Sequence, residues 1–152
     1  MKKHLLLLLG LVLALQMPLL TACSDDDDDD VATSDVPQAV LTAFAAKYPE
    51  ATNVKWEKEL ETYKAEYYNA DHNEVDVWFS PDGTWLRTAT DLLPTALPEA
   101  VQQYVATNYP DRSIDDCDLI EIPGASYYLL ELEKGGAADL YLKLTADGEL
   151  IP

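Results

Sequence analysis

Two stretches of this 152-residue chain, VPQAVLTAFAAKYPEA at 36–51 and LPEAVQQYVATNYPDR at 97–112, are versions of one another. Pro37, Ala39, Val40, Tyr48 and Pro49 recur as Pro98, Ala100, Val101, Tyr109 and Pro110, each 61 residues later. Further on, VDVWFSPDGTWL at 75–86 aligns with LYLKLTADGELI at 140–151, and Asp82-Gly83 recurs as Asp147-Gly148 after 65 residues. A helical segment, an aromatic strand and an Asp-Gly turn keep their order in both halves. Duplication of one supersecondary unit explains this, and it restricts the fold to two copies of whatever one half can form. The four extra residues of the second half must fall between helix and hairpin, around SIDDCDLIEIPGAS.

Each half opens as a short helix. Pro37 and Pro98 suit the first helical position, with Ser34 or Asp35 and Thr95 as caps just upstream. Val40, Phe44 and Tyr48 recur every four residues, as do Val101, Val105 and Tyr109, giving each helix one apolar stripe. The helices stop near Lys47 and Asn108, because Tyr48 and Tyr109 each precede a proline, and the residue before a proline disfavours the α region. After that the period changes to two, in NVKWE, TYKAEYY, EVDVWF and TWLRTAT. Tyr63, Ala65 and Tyr67 share a face with Val75, Val77 and Phe79, joined by Val54 and Trp56. Tyr128, Leu130 and Leu132 share one with Leu140, Leu142 and Leu144. The expected fold class is therefore α+β, two tandem units of one helix covering one face of three or four antiparallel strands. Residues 36–93 form the first unit and 94–152 the second. In the second unit the first strand, around DDCDLIEI, is poorly defined, and the final strand is short or missing.

Strand parity sends Lys64, Glu66, Tyr68, Asp76 and Trp78 to the opposite face of the first unit. In the second unit it sends Tyr127, Leu129, Glu131, Tyr141 and Lys143. Rings flanked by charges, at positions no helix covers, suit a binding surface. Tyr68, Trp78, Tyr127, Leu129 and Tyr141 are its candidate residues. The plainer account is that aromatics favour strands anyway, that a one-residue register change swaps the faces, or that the units bury these rings against each other. Trp85 has two possible placements: a three-residue PDG loop turns it inward, and a two-residue DG turn puts Leu86 inward instead.

The N-terminus is a secretion signal rather than part of the fold. Lys2 and Lys3 precede an apolar run from Leu5 to Leu15, too short for a membrane span. Leu20-Thr21-Ala22-Cys23 resembles a bacterial lipobox, in which Cys23 takes a diacylglycerol after cleavage of residues 1–22; ordinary secretion with a chance cysteine is the alternative. Ser24 and the six aspartates 25–30 repel one another and bury nothing, so residues 23–35 read as a solvated tether. The Ser-Asp run also resembles the surface-export signal of lipoproteins in some Gram-negative gut bacteria. That implies an outer-membrane lipoprotein facing outward, with a periplasm-facing one as the alternative.

Residues 31–152 carry 22 acidic and eight basic side chains, a net −14, which argues against nucleic acid and anionic lipid as electrostatic partners. With Cys23 consumed by lipid, Cys117 is left alone, its acidic neighbours disfavouring the thiolate. His72, the one histidine outside the signal, sits in a predicted turn, so neither a multi-histidine zinc site nor a catalytic triad is available. DHNE lacks the spacing of a calcium loop, and no glycine-rich phosphate loop occurs. No catalytic residue, metal or cofactor is expected, and the domain reads as monomeric.

The LP-x-x-V…YP helices, TYKAEYY and the paired V-x-F-x-x-DG hairpins together resemble the PepSY-like family of small bacterial lipoproteins, related in fold to the β-lactamase inhibitor protein. The resemblance covers nearly all of residues 36–152. It implies tandem helix-plus-sheet units whose sheets form a concave surface, and it supplies no catalytic residues. The expected function is a lipid-anchored, non-catalytic module that presents its aromatic sheet face to a protein or peptide, after the manner of a peptidase inhibitor. A small-ligand or glycan-binding lipoprotein, or an envelope structural protein without a ligand, are the alternatives.

Overall fold

The computed structural model describes residues 30–152; the expected signal peptide, Cys23 and the expected tether up to residue 29 lie outside the described residues. The elements are α1 (Gln38–Lys47), β1 (Lys55–Glu59), β2 (Thr62–Tyr68), β3 (Glu74–Phe79), β4 (Trp85–Asp91), α2 (Glu99–Asn108), β5 (Ser113–Ile122), β6 (Ala125–Glu133) and β7 (Leu140–Leu144). All seven strands are antiparallel and lie in chain order in a single sheet. The halves meet where β4 pairs with β5, from Thr88 opposite Glu121 to Asp91 opposite Asp118.

Both helices cover the same sheet face. Val36, Val40 and Phe44 pack on Trp56, Ala65, Tyr67, Val75, Val77 and Phe79. Leu97, Val101 and Val105 pack on Cys117, Leu130, Leu132, Leu142 and Leu144. These are the positions that period-two and period-four spacing select. Counterparts across the two cores trade volume: Phe44 and Trp56 answer to Val105 and Cys117, whereas Ala65 and Val77 answer to Leu130 and Leu142. One core fills more from the helix and first strand, the other more from the hairpin.

The correspondence extends to the backbone. A 3₁₀ turn precedes each helix, at Thr33–Asp35 and Pro94–Ala96. Gly83 and Gly148 sit at positive φ in the β3–β4 turn and the turn after β7. A Cβ on Gly83 would fall 2.6 Å from the Ala39 carbonyl oxygen, and one on Gly148 2.7 Å from that of Ala100. Both turns are thus pressed against the start of a helix, where only glycine fits.

Several local expectations need correction. Pro37 and Pro98 occupy the N-cap rather than the first helical position, and no side chain caps either helix. Asp30 bridges to Glu57, and the Val31 N–H donates to the Trp56 carbonyl at 2.8 Å. Residues 30–35 therefore belong to the fold rather than to a free tether, because Val31 and Val36 pack on the first core. The strand expected to be ill-defined, β5, is the longest, at ten residues. The extra four residues lengthen the β5–β6 hairpin by two per arm: Trp56 opposes Ala65, whereas Cys117 opposes Leu130. The final strand is reduced to a bridge between Leu144 and Leu150. Trp85 takes the inward placement: it opposes Phe79, and a register shift beside it leaves Leu86 outside the ladder.

Candidate functional site: the helix-free face of the sheet

Alternation of side chains gives the sheet a second face, which neither helix touches. Register sets its layout. One row runs Lys64, Trp78, Arg87 across β2, β3 and β4. The next runs Glu66, Asp76, Ala89, Ile120, Tyr127 from β2 to β6. Then come Tyr68 opposite Glu74, and Asp91 opposite Asp118, Leu129 and Lys143. Last, Asp116 opposes Glu131, which opposes Tyr141.

All five candidate residues lie on this face, but they do not form one cluster. Tyr127 and Leu129 are half-buried neighbours on β6, with Tyr141 beyond them on β7, 61% exposed. Tyr68 is 59% exposed on β2, five strands from β7 and so about 24 Å from Tyr141 at the usual strand spacing. Its hydroxyl donates to Glu74 Oε2 at 2.7 Å. Trp78 departs from expectation in a second way. Parity places it correctly, yet it is only 9% exposed. The Arg87 guanidinium lies 3.7 Å above its ring, and its Nε1–H donates to Glu59 Oε2 at 2.9 Å. The ring is covered by its own strand neighbours rather than by a helix, so Trp78 serves as the floor of a recess. That recess, of about 320 Å³, is lined by Glu59, Thr62, Trp78, Leu86, Arg87 and Ile122.

Charge is divided unevenly over this face. Lys64 gathers carboxylates, with Nζ 2.7 Å from Glu57, 3.8 Å from Glu59 and 4.0 Å from Asp76. Burial works against its charge, but the Glu57 hydrogen bond and the Asp76 carboxylate hold its pKa above the ordinary lysine value. Beyond Lys64 the acids outnumber their partners. Burial pushes the Asp76 carboxyl up to about 6, Glu66 and Glu74 adding to the effect and Lys64 opposing it. Asp118 is likewise pushed up to about 6, by burial first and then by Asp116 and Asp91. Asp91 is raised as well, by burial and by Asp116. Glu66, Glu74 and Asp76 can bring one oxygen each within 4.8 Å of the others. Tyr68 already engages Glu74 and Lys55 lies 3.4 Å from Glu66, so these acids are partly satisfied without a metal.

The quieter groups behave as their residue types suggest. Cys117 is buried, its Sγ 2.9 Å from the Leu92 carbonyl, and burial followed by the charges of Asp116 and Asp91 pushes its pKa up to about 11. His72 is exposed at the β2–β3 tip with φ +63°. A separate cleft of about 570 Å³ lies off the face, at the end of α1, lined by Lys47, Tyr48, Thr52, Tyr67, Tyr68 and Asn69 among others.

Compared with known proteins, the sequence matches the family described as beta-lactamase-inhibitor-like, PepSY-like, over residues 25–73 and 61–152. The chain belongs to this PepSY-like family. A BLIP-like protein from Bacteroides fragilis is 31% identical, with a TM-score of 0.71 over 84% of this chain and 89% of that one. A DUF2874 family protein from Bacteroides ovatus shares the fold at 24% identity, TM-score 0.71, over 76% of this chain and 84% of that one. A Bacteroides eggerthii protein, described provisionally as periplasmic, shares it at 22% identity, TM-score 0.70, over 77% and 86%. No curated protein matches the chain.

In this PepSY-like protein, sequence reasoning missed Arg87, Ile120 and Ile122. Ile120 is 5% exposed yet belongs to neither core, and Ile122 is 36% exposed. Both lie in CDLIEI, where apolar residues at Cys117, Leu119, Ile120 and Ile122 fall on both parities, so alternation assigns no face. Arg87 follows the irregularity at Leu86, and its side is fixed only once Trp78 is known to oppose it.

Proposed function

We propose that this PepSY-like chain is a non-catalytic binding module, held to the envelope by lipid on Cys23, that presents the helix-free face of its sheet to a protein or peptide. One observation carries the reading: both helices lie on one face, leaving Tyr127, Leu129, Tyr141, Ile122 and the Trp78 recess on the other, screened only by side chains of that face, Arg87 over Trp78 and Lys143 5.7 Å from the Tyr127 ring centre. A duplicated unit whose twisted sheet curves around its partner fits the matching turns and helices of the two halves. Among the described residues no helix is long and apolar enough to cross a membrane. An outer-membrane, outward-facing position follows from the signal and Ser-Asp run, with a periplasm-facing one as the alternative. Restraint of a peptidase is fold-level analogy to an inhibitor-like family.

The test is capture from envelope extracts by wild type, by Tyr127→Ala/Tyr141→Ala and by the helix-side control Gln103→Ala. A partner lost only with the double variant supports the face as the binding surface; a partner lost only with the control rejects it. The second reading, a small ligand or glycan, is favoured by the cleft at the end of α1, where Tyr68, 59% exposed, offers a ring for stacking. Glycan-array binding abolished by Tyr68→Ala would support it.

A further inference from the structure

On the reading that the helix-free face is the binding surface, its charge identifies the kind of partner. We propose that it receives an extended basic segment of another protein, an apolar or aromatic side chain seated in the Trp78 recess and lysine or arginine side chains lying along Asp76, Asp91, Asp118 and Asp116. The recess is of the size of one large side chain, with Trp78 as floor and Leu86 and Ile122 as walls. Strand pairing sets Asp91 directly opposite Asp118, at the join of the two halves. Like charges placed opposite one another across strands destabilise a sheet. Among the described residues, no lysine or arginine comes within 4.0 Å of Asp91, Asp116 or Asp118, and only Arg87, from farther off, works against the acids around Asp118. A local conflict of this kind at the centre of an otherwise consistent fold marks a functional surface.

The other occupants are repelled. A second copy would bring net −14 against net −14, and this chain's own aspartate run would meet the same acids. Anionic lipid and nucleic acid fail for that reason too. A cationic polypeptide remains, and an extended one suits the open sheet, whose rows repeat at strand spacing.

The experiment uses the folded chain and three defined 12-residue peptides: one of alternating lysines with a central tryptophan, its glutamate counterpart, and the lysine peptide with alanine for tryptophan. Binding is measured by fluorescence anisotropy in 0.15 M salt and mapped by amide chemical shifts. The lysine–tryptophan peptide should bind at least tenfold more tightly than the glutamate one and severalfold more tightly than the alanine one, with shifts on β3 to β6. Asp91→Asn/Asp118→Asn should weaken it at least fivefold while raising the melting temperature, since the substitution relieves native repulsion. Equal binding of both charge types, a basic peptide indifferent to Asp91→Asn/Asp118→Asn, or preference for phosphatidylglycerol vesicles would each overturn the proposal. If envelope capture depends on Tyr127 and Tyr141 but the partner's contacting segment is acidic or neutral, the basic-segment proposal falls and the binding face stands. If shifts map to the helix side, both fall.

Discussion

Replacing Gly83 with alanine tests the closest approach of turn to helix in this fold. Gly83 has φ +85°, and its added Cβ would meet the Ala39 carbonyl oxygen at 2.6 Å and carbon at 2.9 Å. Gly148 repeats the situation with φ +77° and distances of 2.7 and 3.0 Å to Ala100. Gly124 provides an internal control, since its φ is +84° but nothing lies within 4 Å of its added Cβ. Left-handed backbone costs an L-residue about 1–2 kcal/mol. Alanine recovers roughly 0.4–1 kcal/mol by restricting the unfolded chain. Gly124→Ala should therefore destabilise by about 1 kcal/mol or less. Gly83→Ala and Gly148→Ala add overpacking against a helix backbone that has no rotamer to yield, about 1–3 kcal/mol more. Their totals come to about 1–4 kcal/mol. With a urea m-value of about 1.5 kcal/mol/M, midpoints fall by roughly 0.7–2.7 M for the two buried turns and by less than about 0.7 M for Gly124. Tryptophan fluorescence during urea unfolding gives the readout. If Gly83→Ala and Gly124→Ala unfold at the same midpoint, the turn does not press on the helix and the reasoning fails.

Three further outcomes follow from the same geometry. Asp76 and Asp118, each raised from 3.8 to about 6, bind protons more tightly when folded, so stability should rise as pH falls from 7 through 6 toward 4 and be lost again as pH rises. Both are partly exposed, and solvent screening holds each contribution to about 1 kcal/mol, so Asp118→Asn should flatten the slope of urea stability between pH 4 and 6. Thr88, 1% exposed, hydrogen-bonds the Tyr48 hydroxyl and accepts from Trp85 Nε1–H at 3.0 Å. Thr88→Val strands both partners and should cost about 2–3 kcal/mol in urea unfolding, whereas Thr88→Ser should keep most of the stability; a larger loss in Thr88→Ser than in Thr88→Val would show that the methyl rather than the hydroxyl matters. Arg87→Ala should uncover Trp78, shifting emission to the red and increasing acrylamide quenching at a cost of about 1 kcal/mol; an unchanged spectrum would mean that the guanidinium does not shield the ring.

Much of the arrangement was legible in the one-dimensional pattern. Val40, Phe44, Ala65, Tyr67, Val77 and Phe79 declare their core side because helical and strand periods are local properties of a few consecutive residues. Asp82-Gly83 and Asp147-Gly148 announce their turns for the same reason. Tyr68, Tyr127, Leu129 and Tyr141 reach the helix-free face by parity alone.

Tertiary pairing decided the rest. Nothing near Asp91 in the sequence says that Asp118 will stand opposite it, because the β4–β5 ladder joins segments separated by α2. Trp78 reads as an available ring until Arg87 is laid across it, which requires the β3–β4 register and the irregularity beside Leu86. The placement of Asp30 and Val31 beside β1, and the two-residue extension of each arm of the β5–β6 hairpin, likewise depend on which backbone groups find partners. Periodicity tells each strand which way its side chains point; only the closing of hydrogen bonds between distant strands fixes which side chains then face one another, and on this surface that is where the uncompensated charge and the apolar recess were made.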